Sequence, residues 1–195
     1  MAGSQLRNKA IAGINKKGGL LVYPIKNKKE PESIWSVLFP RTEMRWSWDE
    51  DADNRVGRVW LLKEELSRSG EVVYGKWFKG RATFLSFDAF KNLRAYLREV
   101  PLRRPEAHQM LEVLEMDSPL STKQLKVAVE LQGRLFESTF TKAQRELFEK
   151  LEIVGFGEVE DSAFPSMAIG ASKLIFEELC LASDEISSSA ADEFL

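Results

Sequence analysis

Cysteine and histidine are nearly missing: the chain holds Cys180 and His108 and no other residue of either type. One cysteine forms no internal disulfide, so the core alone must hold the fold, and a reducing cytoplasm is the expected compartment. Cys180 sits in LIFEELCLA, an apolar helix face, and reads as a small buried hydrophobe rather than a reactive thiol. A zinc centre needs clustered His and Cys, which one of each does not supply. A serine–histidine–acid arrangement would depend on His108, which lies in PEAHQML on an ordinary amphipathic helix. There is no Gly-Lys-Ser/Thr phosphate loop, and GFG at Gly155–Gly157 lacks the third glycine of a dinucleotide loop. No metal and no cofactor is expected. Long apolar runs are missing as well: nothing approaches the roughly 18 residues of a membrane span, and no signal peptide opens the chain. The expectation is a soluble, cytoplasmic protein with no membrane role.

What is present is ordinary in amount and uneven in placement. The 195 residues are 44% hydrophobic and 30% charged, enough for one large domain or two small ones. The net charge of −2 hides a split: residues 1–105 carry 21 Lys+Arg against 12 Asp+Glu, and residues 106–195 carry 7 against 18. A polyanion would be drawn to the first half (+9) and repelled by the second (−11). Attraction between the two halves is the alternative reading.

Punctuation along the chain suggests the same unit twice. SQLRNKAIAGINKKGG is a helix stopped by Gly18-Gly19, LLVYPI a short strand, KNKKEP a basic loop, and Pro31 opens a short helix through ESIWSVLF. Asp53 or Asn54 caps a longer helix with Val56, Val59, Leu62 and Leu66 on one face, ended by Gly70. Two β-rich runs flank Lys79-Gly80 as a hairpin, and Asp88 caps the helix after it. After the linker PLRRP (101–105) come a helix at EAHQMLEVLEM, a turn at Ser118-Pro119, and a short helix capped by Ser121 or Thr122. A third helix, Arg134–Glu152, puts Phe136, Phe140, Ala143, Leu147 and Leu151 on one stripe, and a hairpin tipped by EVEDS follows. Three helices and a hairpin are the parts of a winged helix-turn-helix. The fold class expected is mainly α with β-hairpins (α+β), built as tandem winged-helix-turn-helix-like units. The boundaries are 1–100 for a basic unit, 101–105 for a linker, 106–182 for an acidic unit with a terminal helix, and 183–195 for a disordered tail.

PRTEMRWSWDEDADNRVGRVW (40–60) is the densest chemistry in the chain. Asp49, Asp51 and Asp53 match positions 1, 3 and 5 of a calcium-binding loop, but Asn54 and Trp60 stand where it needs glycine and glutamate. Helix capping explains these acids better. Basic and aromatic residues interleave at Arg41, Arg45, Trp46 and Trp48, and again at Lys76, Trp77, Lys79 and Arg81 on the first hairpin. Lysine and arginine neutralise phosphates, and tryptophan stacks on an unpaired base for roughly 1–3 kcal/mol. The competing reading makes the tryptophans core anchors and pairs the arginines with Asp49, Glu50 and Glu71. The second hairpin, with Glu158, Glu160 and Asp161, has the wrong sign for phosphate.

Three segments together resemble the AlkZ-related winged-helix proteins of bacteria, a group allied to an alkyl-DNA glycosylase. They are LLVYPIKNKKEPESIWSVLFPRTEMRWSWD, SGEVVYGKWFKGRATFLS and IVGFGEVEDSAFPSMAIGASKLIFEEL. The resemblance implies tandem winged helices and a link to DNA repair. The glycosylases carry a catalytic glutamine, then an apolar residue, then Asp or Gln. Here the glutamines read Gln5-Leu-Arg, Gln109-Met-Leu, Gln124-Leu-Lys, Gln132-Gly-Arg and Gln144-Arg-Glu, so no catalytic residue carries over. The expected function is therefore non-catalytic DNA binding through the basic half. A glycosylase-like enzyme using a carboxylate such as Asp49, and a module whose acidic half meets a basic protein partner, are the alternatives.

Overall fold

The computed structural model describes residues 2–46, 54–159 and 166–194. Both halves run helix, strand, helix, helix, hairpin. In the first, α1 (Ala2–Lys17) leads to β1 (Gly19–Leu21), α2 (Ile34–Leu38), α3 (Asn54–Arg68), β2 (Val73–Phe78) and β3 (Arg81–Leu85), with α4 (Phe87–Leu97) behind. In the second, α5 (Pro105–Met116) leads to β4 (Leu120–Ser121), α6 (Thr122–Ala128), α7 (Glu137–Glu149), β5 (Ile153–Val159) and β6 (Ser166–Ala171). Then come α8 (Ser172–Ile175), α9 (Glu177–Asp184) and α10 (Ser188–Phe194).

Local chemistry sets the boundaries. Ser33 and Ser121 cap α2 and α6, each in a reciprocal capping box, with Ser36 and Gln124 respectively. Pro31 therefore precedes α2 rather than opening it. Ser86, not Asp88, caps α4: its hydroxyl accepts the Ala89 N–H, while exposed Asp88 pairs with Lys91. The third helix of the second half, expected over Arg134–Glu152, runs only from Glu137 to Glu149. Phe136 is left at its exposed N-cap, outside the core.

The hairpins do not stand apart; they zip into one six-stranded antiparallel sheet, ordered β1-β3-β2-β5-β6-β4. The halves meet where Tyr74 of β2 pairs with Gly155 of β5. A Cβ at Gly155 would lie 2.7 Å from the Tyr74 ring and 2.8 Å from Met167 sulfur, so only glycine lets the strands close there. Matching places recur about this seam. Leu66 and Leu147 are buried in α3 and α7, and Gly70 and Leu151 turn the chain with φ of +66 and +58. Leu20 faces Phe84 across β1–β3 as Leu120 faces Ile169 across β4–β6.

Strand alternation sends the core to both sheet faces. One face holds two clusters, built around Trp35, Leu66 and Phe84 in the first half and Phe140, Leu147 and Ile169 in the second. The other face holds a single cluster drawn from both halves: Val73, Leu85 and Phe90 with Val154, Phe176 and Cys180. Cys180 is buried, and burial pushes its thiol pKa up.

The chain after Ser183, expected as a disordered tail, carries the helix α10 over Ser188–Phe194. Ala191 of α10 is fully buried, and Arg98, the C-cap of α4, donates to the Asp184 and Ile186 carbonyls at 3.0 Å each. The serine-rich composition hid a helix that needs a partner surface to form. No helix among the described residues is long and apolar enough to cross a membrane.

Candidate nucleic-acid interface

At the first hairpin, Lys79 and Gly80 both take left-handed backbone (φ +52 and +72), the geometry of a tight two-residue turn. The turn leaves Lys79 and Arg81 exposed at the tip and Lys76 half-buried on the strand. The Lys79 ammonium sits 5.3 Å from the Phe78 ring centroid. Trp77 is half-buried and packs against the cluster of Val73, Leu85 and Phe90. There it lines a cavity of about 300 Å³ with Leu85, Leu93 and Phe194. The basic residues of the hairpin and its indole thus point to different surroundings.

Arg41, Arg45 and Trp46 gather elsewhere. Arg41 and Arg45 are exposed, and Arg41 holds a left-handed φ of +63. Trp46 is 36% exposed, its ring 5.3 Å from that of Tyr23 at 60°. The Val22 N–H donates to the Ala82 carbonyl at 2.9 Å, so Tyr23 follows directly beside β3, just past the hairpin tip. The Tyr23 hydroxyl donates to the Val56 carbonyl of α3 at 2.9 Å, and burial lifts its pKa to about 12. The Asn27 side chain clasps Met44 at both ends, donating to its carbonyl at 3.0 Å and accepting its N–H at 2.9 Å. That clasp lays 41–46 along the basic loop, whose Lys26, Lys28 and Lys29 are all exposed. Between them lies a cavity of about 290 Å³, lined by Lys28, Lys29, Trp35 and Arg41 among others.

Two of the expected groupings are therefore separate neighbourhoods joined through Tyr23. Trp48, Asp49, Glu50, Asp51 and Asp53 lie outside the described residues, as do Glu160 and Asp161. Tyr23 and the KNKKEP lysines join the expected site residues Arg41, Arg45 and Trp46. The loop was legible as basic, but only the Asn27–Met44 clasp brings it to Arg41. Trp60 of α3, outside the expected set, is 53% exposed with the Lys63 ammonium 4.0 Å from its centroid.

Part of the charge split is spent inside the molecule. Buried Lys63 pairs with Glu158 of β5 at 2.7 Å, and Arg68 donates to the Glu158 carbonyl at 3.1 Å. Arg94 of α4 meets Asp184 at 2.7 Å and donates to the Cys180 carbonyl at 3.4 Å, capping the end of α9. Each pair joins a first-half cation to a second-half acceptor, as the alternative of mutual attraction expects. Glu71 pairs with Arg7 rather than with Arg41 or Arg45. The exposed lysines of 26–29 have no part in these contacts.

Among the described residues, no group of three or more His, Cys, Asp or Glu is placed to hold a metal ion. Among them, one carboxyl is resolved above its ordinary range: Glu152, raised by burial and partly offset by Arg94 and Lys173. It lies at the start of β5, away from the aromatic and basic residues above.

A family model described as AlkZ related matches residues 7–194. No curated protein and no solved structure matches the chain.

Proposed function

Because the chain belongs to the AlkZ-related family, we propose that it is a non-catalytic DNA-binding protein serving DNA repair, built as two winged-helix-like units. The observation that carries this reading is the Tyr23–Trp46 ring pair. It adjoins the exposed cations of two segments, Lys26, Lys28 and Lys29 on one and Arg41 and Arg45 on the other, and lies beside the hairpin that presents Lys79 and Arg81. The lysines and arginines neutralise backbone phosphates, and the half-open Trp46 ring offers a stacking surface to an unpaired base. Trp77 has no contact role in this reading, because its ring serves the core. Repeated element order in the two halves supports the paired-unit architecture. The absence of Asp or Gln two residues after any of the five glutamines supports a role without glycosidic cleavage.

The test is affinity for duplex and gapped DNA across a salt series. Alanine at Lys26, Lys28 and Lys29 together is expected to make the log–log salt slope shallower by roughly 2–3. Alanine at Lys79 and Arg81 is expected to reduce it by about 2. Trp46→Ala should leave the slope unchanged while weakening gapped DNA by roughly 1–3 kcal/mol. Slopes identical to wild type in both charge variants would remove these residues from any phosphate contact.

A further inference from the structure

The acidic half contains a cationic hollow that its net charge conceals. The segment joining α4 to α5 runs across the outward face of α7, and between them opens a cavity of about 400 Å³. Seven charged residues line it, five of them basic: Arg103, Arg104, Lys142, Arg145 and Lys150, against Glu146 and Glu149. Lys142, Arg145, Glu146 and Glu149 share one helix face at three- and four-residue spacing, while Phe140, Ala143 and Leu147 take the buried face.

The two acids are already engaged. Glu146 accepts the Arg103 backbone N–H at 2.6 Å and lies 3.6 Å from the Arg104 guanidinium, which pins the linker to the helix. Glu149 pairs with Arg145 at 2.7 Å. Among the described residues, the Arg103 guanidinium and the Lys142 and Lys150 ammoniums have no ion pair. Three cations thus face one hollow without an ion pair of their own, and the lining carries five basic residues against two acids. Burial, followed by the nearness of Arg103, pushes the Lys150 pKa down against the opposing pull of Glu146, Glu152 and Glu149. Repulsion from acids elsewhere in this half is screened beyond about 8–10 Å at ordinary salt, so local charge governs what enters.

We propose that this hollow is a phosphate-binding site, with Arg103, Lys142 and Lys150 as its ligands and Arg104 and Arg145 held at its rim by the glutamates. Its ligand chemistry is a phosphate group, of a nucleic-acid backbone or of a free phosphate. Arg103 supplies a planar fork matched to two phosphate oxygens, and the lysines add point charges. The linker is then a functional segment, because it positions Arg103 over α7. This site does not depend on the DNA-binding reading of the first half.

The experiment pairs two readouts on the full chain, comparing wild type with Arg103→Ala/Lys142→Ala and with Lys26→Ala/Lys28→Ala/Lys29→Ala. The first readout is the Tm shift with inorganic pyrophosphate at fixed ionic strength; the second is the salt slope of duplex DNA binding. Both altered residues are exposed, so folding without ligand should match wild type, which circular dichroism checks. The pyrophosphate shift is expected in wild type and in the loop variant and is lost in the hollow variant. A DNA slope shallower by about 2 in the hollow variant identifies the backbone as the phosphate source. An unchanged slope with the pyrophosphate shift lost identifies a free phosphate. If the hollow variant matches wild type in both readouts, the proposal is overturned. The triple-lysine loop variant, scored separately, decides the first-half interface.

Discussion

Single residues carry charge and ring character but not their address. Of the five tryptophans, Trp35 is fully buried and donates its indole N–H to the Thr42 carbonyl at 2.9 Å, whereas Trp60 is more than half exposed. Nothing in their immediate sequence separates the two, because exposure depends on which elements pack above them. Glu152 is a similar case: it reads as an ordinary helix-end acid, yet burial raises its pKa above the ordinary 4.5. An acid whose folded pKa is raised costs stability once it must ionise. Below the unfolded pKa both states hold the proton and there is no cost. As pH climbs through the ordinary value and past the folded one, the unfolded chain ionises first and stability falls. Glu152→Gln should therefore raise Tm relative to wild type at about pH 7, with the gap closing by about pH 3. Calorimetry across that range checks it, and a lower Tm for the variant at neutral pH would refute the assignment.

At the scale of elements, periodicity and capping chemistry located most helices, because both are local. Val56, Val59, Leu62 and Leu66 recur at helical spacing and all four are buried in α3. Where two local signals competed, the wrong one was the more conspicuous. Asp88 offers a charge to the first turn of α4, but Ser86 stands at the position whose backbone is extended (φ −68, ψ 161) and whose hydroxyl reaches the Ala89 N–H. Ser86→Ala should cost about 1 kcal/mol in urea unfolding, and Asp88→Ala, at an exposed i,i+3 pair, less than about 0.5. The reverse ranking would restore Asp88 as the cap. The terminal helix α10 escaped local reading altogether. SSSAADEF has little helix signal of its own, and its order comes from α4, against which Ala191 is buried.

Across the whole molecule, the halves share a sheet, a cluster and several ion pairs. All five tryptophans lie before residue 80, so indole fluorescence reports the first half while far-ultraviolet dichroism reports both. With Val73 and Phe90 packed against Val154 and Phe176, the halves should unfold together, and the two probes should trace coincident denaturant transitions. A fluorescence midpoint displaced from the dichroism midpoint would mean that residues 1–100 and 106–182 are separable domains. The charge split has the same double reading at this scale. Lys63, Arg68, Arg94 and Arg98 face acceptors of the second half, while Lys26, Lys28 and Lys29 face solvent.

The amino-acid order by itself determined the repeated run of helices and hairpins, the family resemblance and the uneven charge, because each is a matter of spacing and count along the chain. Tertiary structure decided which tryptophans see solvent, which cations are consumed by internal pairs, and that Arg103 shares a hollow with Lys142 and Lys150. Those outcomes hang on contacts between residues far apart in the chain, as Arg103 and Glu146 are, and the pairing of Tyr74 with Gly155 is likewise invisible until the two hairpins lie side by side.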